Sequence, residues 1–320
     1  MGRHQERIVI SGTELAISKL GLGTGPLGGM FSSVTEKQSD DLVEFALGRG
    51  INFFDTAPFY GYGTSEIRLG RALKKNEKPY VLSTKVGRVL NPAIAPDKGI
   101  FVDVPAGLEP IFDLSADGIK RSLEESLVRL GVEHIDIALI HDAENYMDQA
   151  ISEAYPVLDD YRRQGLIKGI GTGMTRCAET IRFIHECDLN VVLIAGRLTL
   201  LDQEAAVELL PLALKEQVSV IVGGVFNSGI LANPNPEATF DYAKAPEEII
   251  AKARRLKEFL NQRNISITSA ALQFPLHYPG VSAVLIGAKN KSELETNIVE
   301  FDVEISPTIW NELREAGLVT

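Results

Sequence analysis

Cysteine is scarce in this 320-residue chain: the two present, Cys177 and Cys187, lie in or beside one helical stretch. Two thiols cannot staple a chain of this size, so they read as small packing residues in a reduced, cytoplasmic protein. Histidine is equally thin. The five (His4, His134, His141, His185 and His277) show no ligand spacing, and no metal is expected. No run approaches the ~18 apolar residues that a membrane helix needs. The opening MGRHQERIVI carries no apolar segment after its charges and is not a secretory signal. Basic residues are outnumbered 32 to 43, for a net charge of −11 without any basic cluster. That balance argues against nucleic acid and anionic membrane as partners.

What is present is apolar material in quantity, 45% of the chain, enough for a large core. RIVISGTELAISKLGLGT predicts a hairpin turning at Ser11–Gly12 and then a strand toward Leu22. Short Val- and Ile-rich runs follow at 51–55, 80–86, 135–141, 166–172, 190–196, 218–224 and 281–287. Amphipathic stretches alternate with them, at 35–50, 115–131 and 245–263 among others. Ser115 is a plausible helix N-cap and Gly131 a plausible helix stop. With the strand near Leu20 this makes eight strand–helix units without a linker. Strands apolar on both faces suit a buried parallel sheet. One (β/α)₈ TIM barrel over residues 1–320 is the expected fold, with a doubly wound sheet as its competitor. The longest irregular stretches, 88–114 and 227–245, follow the third and seventh strands at their C-terminal ends, the face where such barrels keep their chemistry.

Three successive strands end on ionisable residues: Asp55 after INFF, Lys85 within VLSTKV and His141 after IDIALI. Tyr60 stands on the loop just beyond Asp55. Each alone is an ordinary cap, edge or packing residue; their meeting at one barrel mouth is the signal. A free phenol has a pKa of ~10, too high for a base near neutrality. A neighbouring ammonium lowers it, so Lys85 is expected to favour the Tyr60 phenolate. Asp55 would hold the lysine, and His141 would orient a substrate oxygen against the phenol. GTGPLG at 23–28 formally fits a dinucleotide-binding glycine loop with Asp55 on the ribose. Pro26 removes a backbone donor there, and the next helix starts only near Thr35, too late to aim its N-terminus at a pyrophosphate.

GINFFDTAPFYGYGTSEIRLGRAL, VLSTKVGR, IDIALIHD and LIGAKNKSELETN together resemble the aldo-keto reductase family along essentially the whole chain. The resemblance places a catalytic tetrad on Asp55, Tyr60, Lys85 and His141. It implies a monomeric or weakly associating barrel that binds NAD or NADP, the cofactor carrying the hydride chemistry. By position, Gly23 and Thr24 would border the nicotinamide. A Ser-Asn pair that usually holds the carboxamide falls on Gly173 and Met174, and a stacking aromatic falls on Gly223. Gly224, Phe226 and Ser228 match a phosphate-binding loop, with Phe226 or Arg197 available as compensation. Gly287, Lys289, Glu293 and Asn297 fall at the adenosine end. Glu293 stands where NADP users carry a base, so NAD is the expected preference, although Lys289 points the other way.

LGLGTGPLGG, ALIHDA and VVLIAGRLTLLDQ resemble the aldose-oxidising branch of the family, to which pyridoxal and L-galactose dehydrogenases are similar. The implied substrate is a small sugar or a pyridoxal-like hemiacetal, with Phe31, Phe59 and the 88–114 loop facing it. Beside a general NADPH-dependent aldehyde or ketone reductase within the same family, two rival functions remain. A Schiff-base aldolase would use Lys85 as nucleophile, against which Asp55 argues by keeping the amine protonated. A regulatory, poorly turning-over nicotinamide binder is the other.

Overall fold

The computed structural model describes residues 2–94 and 97–320; Ala95 and Pro96, within the long loop, lie outside the described residues. The eight apolar runs form strands β1 (Leu20–Gly23), β2 (Phe53–Asp55), β3 (Val81–Val86), β4 (Ile137–His141), β5 (Gly169–Met174), β6 (Val191–Ala195), β7 (Ser219–Gly223) and β8 (Val281–Gly287). They pair in parallel, each with the next, and β8 returns to β1. The result is a closed barrel, which rules out the open doubly wound sheet. The fifth strand begins three residues later than its apolar run suggests, because Leu166–Lys168 still belong to the turn leaving the preceding helix.

The antiparallel hairpin Arg7–Val9 and Ala16–Ser18 precedes β1. Its Ile10, Leu15 and Ile17 join Phe53, Val81, Ile137, Leu139, Val191, Leu193, Ile221, Ala283 and Leu285 in one buried cluster, which fills the barrel interior and plugs its N-terminal end. Alternate strand residues (Leu22, Phe54, Leu82, Ala138, Ile140, Ile170, Val192) point outward into a second cluster against the helices. Local chemistry sets the helix ends. Thr35 and Gln38 cap Glu36–Gly48 reciprocally. Ser115 caps Ala116–Leu130, and Gly131 ends it in the left-handed conformation.

The stretch after β3 is not irregular throughout. Arg88–Pro92 and Leu108–Phe112 pair as an antiparallel ribbon, with Val89 and Leu90 buried beneath it. Its tip lies back over the loop after β1 through Phe31 N–H to Ile100 O at 2.8 Å and Val102 N–H to Gly29 O at 3.0 Å. Asp103 fastens the two by accepting from Ser33 Oγ at 2.6 Å and Val34 N–H at 3.0 Å. The stretch after β7 likewise holds a short ribbon, Thr239–Phe240 with Ala243–Lys244. No helix among the described residues is long and apolar enough to cross a membrane.

Candidate active site

Strand parity builds the site. Phe53 points inward, so Asp55 two residues later does too; Val81 carries Lys85 inward, and Ile137 and Leu139 carry His141. All three surface at the C-terminal mouth, buried to within 5% exposure. Tyr60 joins them from the turn after β2. Glycine occupies the inward rim position of four of the other five strands, at Gly23, Gly173, Gly223 and Gly287, and Ala195 that of β6. A Cβ on Gly173 would stand 3.2 Å from Lys85 Cε, and one on Gly287 2.9 Å from Pro26 Cγ. The rim thus keeps open a floor that side chains would fill. The GTGPLG loop is a single 3₁₀ turn, Gly25–Gly28, and Asp55 bonds Lys85 instead of facing a ribose.

The Lys85 ammonium donates to Asp55 Oδ2 at 2.5 Å and to Thr56 O at 2.8 Å. Its third proton is left for the Tyr60 phenol, whose ring centre lies 4.7 Å away. Burial alone would discharge this amine, but the Asp55 carboxylate and the phenol more than reverse that, so it is held charged. Burial lifts the Asp55 carboxyl above the ordinary range against the pull of the same ammonium. The tight contact and the raised amine together describe an ammonium–carboxylate pair. His141 sits edge-on to Tyr60, ring centres 6.0 Å apart. Burial, with Arg88 and Lys85 nearby, drops its pKa well below the usual imidazole range, so it is neutral. Its Nδ1 is buried without a partner.

One expectation is reversed. Lys85 does draw the Tyr60 pKa down, but burial acts more strongly, and Asp55 and Asp142 add to it. The net result is a phenol pushed up to about 12, a proton holder at neutral pH.

Around these four groups the structure adds residues that sequence reasoning passed over. Phe101, 2% exposed, reaches in from the ribbon tip and packs 5.3 Å from Phe59 and 6.4 Å from Tyr60, between ring centres. Phe59 touches His141 at 6.2 Å. Phe31 is 55% exposed, with φ of +60°, and meets Tyr242 of the β7 loop at 6.4 Å. Arg88, three residues beyond Lys85, and Asp142, directly after His141, pair at 2.6 Å beside His141. The adjacency of Asp142 to His141 was one available signal; Arg88 and Phe101 lie within the 88–114 loop expected to face the substrate, although neither was singled out, and nothing in the sequence marked Tyr242.

The remaining positions fall in two groups. Thr24 is buried with its hydroxyl and its N–H on Asp55 O, and its carbonyl accepts from Leu27 N–H and Ser65 Oγ, so it shapes the turn and has no group left to offer a ligand. Met174 faces the outer apolar layer, and Phe226 packs against the outer clusters instead of the mouth. Arg197 binds Thr175 O, Asp202 and Asp241 at 2.8 to 2.9 Å. It lines a cavity of about 190 Å³ with Gly224, Asn227, Ser228, Asp241 and Tyr242. Asn227 Oδ1 is buried there without a partner. At the far end, Asn290 caps the helix Lys291–Asp302 by accepting from Glu293 N–H. The Glu293 carboxylate bends back to accept from Lys289 N–H at 2.9 Å. Gly287 ends β8 just before this helix, and half-buried Asn297 lies about two turns into it. The open glycine rim, the cavity beside it and the unpartnered Asn227 suit a long polar cofactor lying across β5 to β8.

The chain is 37% identical to a pyridoxal 4-dehydrogenase of Microbacterium luteolum, with 98% of each chain covered. It is 36% identical to a D-threo-aldose 1-dehydrogenase of a Pseudomonas species, with 95% of each covered. Among solved structures, a Bacillus halodurans aldo-keto reductase in its holo form superposes with a TM-score of 0.79 at 24% identity, covering 99% of this chain and 97% of that one, a likeness of fold. The model of the Aldo/keto reductase family matches residues 19–317, and with those relatives it shows that the chain belongs to this family of oxidoreductases.

Proposed function

We propose that the chain oxidises the anomeric carbon of a cyclic aldose, of the L-fucose, D-arabinose or L-galactose kind, to its lactone, with NAD as preferred cofactor. The observation that carries this reading is the Lys85 ammonium, fixed by Asp55 and Thr56 O and aimed at the Tyr60 phenol under a glycine rim. The curated relatives, one named for aldose oxidation and one for pyridoxal oxidation, support a cyclic C–H and O–H substrate.

His141, neutral, donates one ring N–H to the reacting oxygen and turns it toward Tyr60. Tyr60, as phenolate, takes the hydroxyl proton, and Lys85 stabilises the charge it carries before doing so. Phe59 and Phe101 exclude water from that exchange and offer flat faces to a sugar ring. The chemistry a bound oxidised nicotinamide would supply is a hydride acceptor for C1. The backbone at Gly23, Gly173 and Met174, with Gly223, would border its reactive end, on a turn that Thr24 fixes to Asp55 O. Gly224, Ser228 and Arg197 would hold the phosphates, and Asn227 Oδ1, an acceptor, would take a hydroxyl or amide donor of the cofactor. Gly287, Lys289, Glu293 and Asn297 would meet the adenosine. Glu293 already places a carboxylate on the helix N-terminus, where it repels a 2′-phosphate and can accept from a 2′-hydroxyl.

The test is a panel of L-fucose, D-arabinose, L-galactose, D-glucose and pyridoxal with NAD or NADP, read at the reduced-nicotinamide absorbance, with Tyr60→Phe alongside. Turnover with NAD on an aldose, lost by about a hundredfold or more in Tyr60→Phe, is expected. Oxidation of pyridoxal alone would move the assignment to the other named relative. NADPH-dependent reduction of simple aldehydes without any oxidation would defeat the reading. Borohydride trapping of a carbonyl substrate on Lys85 would replace it with an aldolase.

A further inference from the structure

Asp142 and Arg88 form a charge pair that proton transfer at Tyr60 does not require. Asp142 follows His141 with φ of +45°, a conformation that L residues other than Asn and Asp seldom adopt. Its N–H donates to Gly173 O at 3.0 Å, which pins the turn to the neighbouring strand. The carboxylate is thereby held against the site: Oδ2 accepts from Arg88 Nη2 at 2.6 Å and lies 3.4 Å from His141 Nε2. Its negative charge reaches both Tyr60 and Tyr242, which stand on either side of the mouth. Oδ1 takes no protein donor among the described residues. Arg88 cannot swing away, because its guanidinium is sandwiched between the Phe59 and Phe112 rings at 4.2 and 4.3 Å.

A carboxylate only accepts hydrogen bonds. Standing beside the imidazole that would orient the reacting oxygen, it repels a carbonyl compound that brings no donor of its own. It suits a substrate with a second hydroxyl one carbon away, whose O–H can reach the unengaged oxygen. We propose that Asp142, held by Arg88, is the specificity-determining residue that accepts a hydrogen bond from a hydroxyl on the carbon adjacent to the reacting carbon. This rests on the oxidoreductase reading above and narrows it: a cyclic aldose carries that hydroxyl at C2, whereas the hemiacetal of pyridoxal has none there.

Two substrate pairs test it, each differing only in the adjacent hydroxyl: D-arabinose against 2-deoxy-D-ribose for oxidation, and lactaldehyde against propionaldehyde for reduction. Both are run on the wild type, Asp142→Asn and Asp142→Gly. Asn and Gly both tolerate the positive φ, and near-UV circular dichroism with a nicotinamide-fluorescence titration checks that the fold and cofactor site survive. In the asparagine variant the carbonyl stays with Arg88, and the amide turned to the substrate can donate but not accept. The wild type is expected to favour the hydroxylated member by about tenfold or more in kcat/KM, the worth of a charge-accepted hydrogen bond left unmade. The ratio is expected to fall to within about threefold in both variants. A wild-type ratio near one, or a ratio that persists in both variants, overturns the proposal. If no aldose is oxidised but the aldehyde pair behaves as stated, the aldose reading fails and Asp142 keeps this role. If aldoses are oxidised with the ratio unmoved by either variant, the reverse holds. Turnover of neither pair by the wild type counts against both.

Discussion

Replacing Lys85 with methionine keeps a stem of similar length and removes only the ammonium, which leaves the Asp55 carboxylate, 1% exposed, without its donor. Thr56 O loses its donor as well. Stranding one charge of a buried pair costs about 3–5 kcal/mol, far more than the pair itself contributes. Unfolding entropy of ~2.1 cal/mol/K per residue gives about 0.7 kcal/mol/K for 320 residues, so Tm should fall by roughly 4–7 °C. The loss should depend on pH. Burial already raises the Asp55 pKa, and without the ammonium only the Ser83 hydroxyl opposes it. The folded value then stands above the unfolded one of ~3.9, so the native state holds the extra proton between the two. Stability of the variant falls as pH rises through that window and levels off above the folded pKa. Urea midpoints at about pH 7.5 and about pH 5 should therefore show the gap to wild type shrinking at the lower pH. The double variant Asp55→Asn, Lys85→Met should recover most of the loss while remaining inactive. A gap below about 1 kcal/mol that ignores pH, or a double variant no better than the single, would refute the charged pair.

Removing the charge of Glu293 with Glu293→Gln should free the positive end of helix Lys291–Asp302 for a 2′-phosphate and raise the NADP-to-NAD ratio of kcat/KM by about tenfold; an unmoved ratio would mean that Glu293 is a helix cap only. In Gly173→Ala the new Cβ presses on Lys85 Cε at 3.2 Å, so kcat should drop by about tenfold or more with a stability change under ~1 kcal/mol. Wild-type turnover in that variant would show that the lysine has slack. With the phenol at about 12, reduction should be flat in kcat/KM from about pH 6 to 9, because Tyr60 keeps its proton throughout and His141 stays neutral. Oxidation should instead climb with pH as the phenolate fraction grows. A step near pH 6.5 in the reducing direction would place a titrating imidazole in the reaction and contradict the buried, neutral one.

The architecture was legible because its signal is periodic. Runs apolar on both faces, punctuated by capped amphipathic helices, leave a parallel sheet sealed by helices as the economical solution, and eight units can close. The same period of two fixed the direction of the key side chains: once Phe53, Val81 and Ile137 line the interior, Asp55, Lys85 and His141 must face inward as well. The hairpin at the start and the caps at Thr35 and Ser115 were equally local.

Tertiary structure decided what depends on distance across the mouth or on burial. The ribbon from Arg88 to Phe112 has no period that tells where its tip will lie, so Phe101 against Tyr60 came only with the fold. Met174 and Phe226 match the family pattern by position, yet their side chains turn to the outer layer, since neighbouring rim residues on a strand face opposite ways and loops obey no parity. The phenol is the sharpest case. A lysine beside a tyrosine predicts a lowered pKa, and that pull is present, but the depth of burial sets the size of the opposing effect, and depth is a property of the whole barrel. By itself the sequence determined the barrel and the inward row of ionisable groups, because both follow from alternation along single strands. Only the tertiary structure decided the charge state of Tyr60 and the partnership of Arg88 with Asp142, because these arise between segments far apart in the chain.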